Sequence, residues 1–215
     1  MKISFVLLLL LFSTAFLQAL PGSSLAEETI TLSREEQNKE ALKAFEKILQ
    51  ISESTDRSNV LPQLEAAYFD IIKRFPEAYL TQESYWRIML IYLTDYNPPA
   101  FVKAEALREE FLKKYPESKL RDLIDSTLAE GYYNHAQWDK LLKFYAPSIK
   151  KSIETGKFTK VADIFMYAEA KFRLNDLAEA EKGYKIVVST FPAAKESAVA
   201  KKRLEEIQAK KPKRP

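Results

Sequence analysis

The sequence predicts an all-α protein of about nine helices, arranged as stacked helical hairpins. Three observations predict it. An aromatic residue followed by Pro closes an apolar-periodic run at Phe75-Pro76, Tyr115-Pro116 and Phe191-Pro192. Pro lacks the backbone donor and clashes with the preceding turn, so each pair marks a helix end. Fourteen residues before these aromatics stand Leu61, Phe101 and Leu177. Trp138 makes a fourth start, and the starts at positions 61, 101, 138 and 177 are separated by 40, 37 and 39. Finally, only four of the 215 residues are Gly, which leaves few positive-φ turns and no Gly-rich phosphate loop.

The first element is an address. Lys2 opens it, Ile3 to Leu20 is apolar, Pro21-Gly22 breaks it, and Ser24-Leu25-Ala26 puts small residues where a signal peptidase reads. Residues 1–26 are therefore expected to be a secretory signal peptide cleaved between Ala26 and Glu27. Retention as a membrane anchor is the alternative, because roughly 18 apolar residues span a bilayer. Residues 27–57 are expected to hold an N-terminal helix and a connection, with Ser33 to Glu36 as a capping box.

Residues 58–207 are the repeat array. From each start, apolar residues recur at three, seven, and ten or eleven positions, as in Leu61, Leu64, Tyr68, Ile71 and Ile72. That spacing traces one face of a helix. Arg108 interrupts it in the second copy. In the third copy (Trp138, Leu141, Tyr145, Ile149) Ser152-Ile153 replaces the aromatic-Pro pair. Partner helices are expected over 80–94, 119–135 and 158–174. In the last two, Ala129 matches Ala168 and Gly131 matches Ala170 at a shift of 39, small residues that let antiparallel helices approach. Asn97-Pro98-Pro99 and Gly156 read as boundaries, and Asp176 to Glu179 as a second capping box. Residues 208–215 form a basic tail, expected to be disordered, with weak contact to an anionic surface as a secondary expectation.

Composition excludes several functions. Cys is absent, which removes disulfides, thiolate catalysis and a lipidated N-terminus. Residues 1–26 contain Lys2 alone among charged residues, so 33 basic residues become 32 against 30 acidic ones afterwards. Such balance argues against nucleic acid as a partner. The single His, His135, has Asp139 one turn on, but no nucleophile elbow exists. Glu109-Glu110 and Glu205-Glu206 are adjacent on helices and diverge. No metal or cofactor is expected, and no catalytic residue.

The stretch Asn175-Asp176-Leu177-Ala178-Glu179-Ala180, with Tyr184 and Phe191-Pro192, resembles a tetratricopeptide (TPR) motif. Phe111 to Ser118 (FLKKYPES) resembles the repeats of envelope TPR proteins, such as those of outer-membrane barrel assembly and of the Tol-Pal system. The resemblance covers roughly residues 55–207. It implies a right-handed superhelix whose first helices line a concave surface, and a non-enzymatic scaffold of the periplasm or outer membrane that binds a segment of an envelope protein. Self-association is the structural alternative. The candidate groove residues are Trp86 and Tyr92, then Glu130, Tyr133 and Asn134, and their equivalents Glu169, Phe172 and Arg173. The Glu130/Glu169 repeat is read as exposed charge.

Overall fold

The computed structural model describes residues 32–54 and 56–210. The expected signal peptide, its expected cleavage site and the end of the basic tail lie outside the described residues. Among those described there are nine α-helices and no strand: α1 (Arg34–Ser54), α2 (Arg57–Arg74), α3 (Tyr79–Leu90), α4 (Phe101–Lys114), α5 (Arg121–Asn134), α6 (Trp138–Thr155), α7 (Val161–Arg173), α8 (Leu177–Thr190) and α9 (Lys195–Lys210). None of them is long and apolar enough to cross a membrane.

The three aromatic-Pro signals end helices as the residues dictate. Phe75, Tyr115 and Phe191 each cap a helix by donating N–H to the carbonyl four residues back, at 3.0, 2.8 and 3.0 Å. Three residues on, the N–H groups of Ala78, Ser118 and Ala194 return to those aromatics' carbonyls. Thr81 and Ser197, six residues after Phe75 and Phe191, seal two of the corners by donating their hydroxyls to those same carbonyls. Where Pro is missing, the helix does not stop: α6 runs 18 residues, against 14 for α4 and α8, until Gly156 closes it at φ 66°. A left-handed residue at that position is what Gly permits at no steric cost.

The hairpin turns repeat at the level of single hydrogen bonds. After α5, Ala136 donates N–H to the Tyr133 carbonyl and Gln137 to that of Tyr132. After α7, Asn175 donates to Phe172 and Asp176 to Lys171. Both are Schellman turns, with Ala136 at φ 54° and Asn175 at φ 63°. The distance between them along the chain is one sequence repeat. The connection between α3 and α4 differs. A π-helical turn, Ile91–Asp95, extends α3 across most of the expected 80–94, and Asn97-Pro98 is a cis bond within the loop.

One capping box forms and the other does not. Ser33 and Glu36 exchange bonds in both directions, whereas Asp176 is a one-sided cap: its carboxylate accepts from Glu179 N–H at 3.4 Å, and its own N–H donates to the Lys171 carbonyl at 2.9 Å. The small residues act less uniformly than their spacing suggests. Ala168 and Gly183 make the close approach of α7 to α8, since a Cβ on Gly183 would lie 2.8 Å from that of Ala168. Gly131 instead makes room for Leu93, on the π-helical turn.

Helices adjacent in sequence pack together, and so do α1 with α3, α3 with α5, and α7 with α9. No comparable backbone approach joins α5 to α7. The core is continuous along the array, running from Phe45 and Ile48 through Tyr85, Ile88 and Phe111 to Tyr184 and Ile207.

Candidate functional site

The expected groove residues fall into three settings. Trp86 is half-buried: its indole donates to the Thr127 hydroxyl on α5 at 3.1 Å, and the Arg87 guanidinium lies over its ring. Glu130, Asn134 and Arg173 are exposed. The others are built into the interior or beneath another helix.

Tyr92 is a correction. It is buried, and its phenol donates to Glu65 on α2 at 2.7 Å. Glu65 also accepts from Tyr96 and from Lys103 on α4. The same trio recurs one repeat on, where Glu105 accepts from Tyr132 at 2.8 Å and Lys140 at 2.7 Å. In both carboxylates burial works to raise the pKa, and the combined hydrogen bonds outweigh it and hold the group below its ordinary value. Tyr92 and Tyr132 stand one repeat apart in the sequence, and so do Glu65 and Glu105. That double coincidence was the available sign that Tyr92 belongs to a structural bridge between hairpins.

Glu169 is the larger correction: it is fully buried. Tyr184 of α8 donates to it at 2.6 Å, and Arg203 of α9 at 2.8 Å. The Tyr133 phenol reaches its other oxygen at 3.4 Å, and Arg173 stands 3.8 Å away. An isolated charge there would be prohibitive, and these partners make it tolerable. Burial first, then the bond to Glu169 and its charge, push the Tyr184 phenol far above its ordinary range. The bond to Glu169 foremost raises the Arg203 guanidinium in the same way. No short sequence pattern links Arg203 to Glu169, because all of α8 lies between them.

Phe172 is covered by α9. The Arg203 guanidinium sits 4.9 Å from its ring centroid and the Lys210 ammonium 5.0 Å. Tyr133 stands edge-on to Trp138, whose ring also lies beneath Arg173. The structure thus brings Tyr133, Glu169, Phe172 and Arg173 together and places α9 over much of that cluster. His135 caps α5 and stands edge-on to Phe101, with no bond to Asp139.

Of the expected groove residues, Glu130, Asn134 and Arg173 are therefore accessible, with Trp86 and Tyr133 in part. A separate cleft of about 840 Å³ lies between the first halves of α5 and α7, with α6 at its base. Arg108 of α4 meets Asp125 at 2.6 Å within it, and Lys160 bridges to Asp122 at 2.7 Å. Among the described residues, every fully buried side-chain polar atom has a hydrogen-bond partner. Compared with known proteins, the chain matches no family model and no curated relative.

Proposed function

We propose that this chain is a TPR-like scaffold of the cell envelope that binds a segment of a partner protein without catalysing a reaction. The hairpins then form a right-handed superhelix, with the face of α3, α5 and α7 as its concave side. One observation carries the proposal: two hairpin turns, one repeat apart, share their hydrogen bonds residue for residue. A repeat that regular presents equivalent side chains at equivalent places, which is the means by which repeat proteins build extended binding surfaces. Trp86 supplies an aromatic anchor, and Glu130, Asn134 and Arg173 supply polar contacts for register. Export rests on the layout of residues 1–26, and a periplasmic or outer-membrane setting on the resemblance of the repeats.

The test is photo-crosslinking in cells from positions 130 and 134, with position 113 on the exposed side of α4 as control. Capture of a discrete envelope protein at the first two positions and not at the control is the expected result. A pattern identical at all three would remove the face from consideration. A second reading, self-association, draws on apolar side chains exposed on the terminal helices, Leu42 and Leu49 on α1 and Val199 on α9. Crosslinks only to the chain itself, with a concentration-dependent sedimentation mass, would select it.

A further inference from the structure

The cleft over α6 carries a feature that the rest of the array lacks. The seventh residue after each second-helix start is Tyr68, Arg108, Tyr145 and Tyr184 in the four copies. In two of them the polar tip meets a carboxylate on a neighbouring first helix: Arg108 with Asp125, and Tyr184 with Glu169. Tyr68 packs edge-on against Phe45. Tyr145 is only 7 % exposed, yet its phenol has no hydrogen-bond partner among the described residues. No fully buried polar atom among them is left unpaired, so that hydroxyl is not fully enclosed, and Tyr145 is among the residues that line the cleft. A phenol open to a cleft keeps its donor and acceptor free for water or a ligand.

The lining carries three carboxylates, Asp122, Asp125 and Asp163, and three cations, Arg108, Lys119 and Lys160, of which Lys160 also acts on Asp163 through space. Burial foremost, and then the charges of Asp163, Asp125 and Glu130, raise the Tyr145 phenol above its ordinary value. Asp125 and Asp122 are engaged with Arg108 and Lys160. Asp163, on the opposite wall, has no hydrogen bond or close ion pair among the described residues. Lys119, the remaining cation of the lining, is exposed. Phe144 and Pro147 provide apolar floor next to the phenol. No three metal-ligating side chains among the described residues converge as a metal cage requires, so the open acceptors suit an organic cation.

We infer that this cleft is a binding site for a Lys or Arg side chain of a partner polypeptide, held by the Asp163 carboxylate and the Tyr145 phenol oxygen. An ammonium or guanidinium supplies several donors at once, so it satisfies both groups, and its aliphatic stem lies along Phe144 and Pro147. The cleft opens where α5 and α7 make no close backbone approach comparable to their neighbours'. The inference rests on the scaffold reading and moves the specificity from the α3-α5-α7 face to the cleft.

The probe is an end-blocked peptide, Phe-Arg-Phe-Arg, with a control carrying citrulline in place of arginine. Titrated into the purified chain, the arginine peptide is expected to shift the Tyr145 ring resonances saturably and to weaken with added salt. Affinity is expected to fall at least tenfold for the citrulline peptide and for Asp163→Asn, and at least threefold for Tyr145→Phe. Glu205→Gln, on the exposed side of α9, is expected to match the wild type, and unchanged thermal unfolding shows that each variant folds. No saturable shift at Tyr145, or equal affinity for the citrulline peptide, overturns the assignment. Partner capture from positions 130 and 134 with Tyr145 untouched by the peptide would leave the scaffold standing and the cleft refuted. Peptide binding at Tyr145 with no capture at those positions would do the reverse to the face.

Discussion

Tyr145 and Tyr184 occupy the same register on α6 and α8, and their fates differ. Tyr184 is sealed against Glu169 with Arg203 alongside, whereas Tyr145 opens on a cleft with no partner among the described residues. The difference comes from the neighbours. Around Tyr184, α7, α8 and α9 all pack on one another. Around Tyr145, α5 and α7 leave a gap above α6. One position of a repeat thus becomes a structural staple where first helices meet and an open site where they part.

Breaking the staple is expected to have the largest effect. Glu169→Ala leaves the buried Tyr184 phenol without its acceptor and the half-buried Arg203 with Glu206 alone, and should cost about 3 kcal/mol, measured by urea unfolding. A loss under about 1 kcal/mol would show that α9 docks independently of the cluster. The two tyrosines sharpen the comparison directly. Tyr184→Phe removes a hydrogen bond to a charged group and should cost about 1.5–3 kcal/mol. Tyr145→Phe removes no bond and should fall within about 0.5 kcal/mol of the wild type.

Alkaline titration separates the pair in another way. Both phenols have folded-state values raised above the ordinary tyrosine value of 10.0. Their contribution is therefore complete below about pH 10 and is lost as pH rises through the folded values. Unfolding free energy should be level from neutral pH to about 10 and decline beyond it. Tyr184→Phe should flatten part of that decline, read from urea midpoints alongside tyrosinate absorbance. A last comparison concerns the two turns. Ala136 holds a positive φ that Asn175 accepts more easily. Ala136→Gly should raise stability by about 1 kcal/mol, whereas Asn175→Gly should change it by less.

The helices were legible because their signals are local. Pro76, Pro116 and Pro192 each follow an aromatic that closes a helix, unlike Pro62 and Pro147 inside α2 and α6, and the apolar spacing after Leu61, Phe101, Trp138 and Leu177 selects the buried face. The boundaries expected at 119–135 and 158–174 lie within three residues of α5 and α7. The candidate site was legible only in part. The shift of 39 picks out Glu169 and Phe172 as equivalents of Glu130 and Tyr133, but a charge in sequence suggests exposure, and Glu169 is buried. Its burial depends on Arg203 arriving from α9, and Tyr92's on Glu65 from α2. The Glu65–Tyr92 spacing of 27 recurs in Glu105–Tyr132, whereas the Arg203–Glu169 pairing, 34 residues apart, has no second copy to mark it.

The sequence by itself determined the all-helical fold, the repeat length and the stops between helices, because periodicity, Pro and capping residues act within one or two turns of chain. Tertiary structure alone decided which equivalent residues are core and which remain open. That choice depends on whether neighbouring helices close over a side chain, and a polar tip is stable either way so long as a carboxylate, or water in a cleft, is there to meet it.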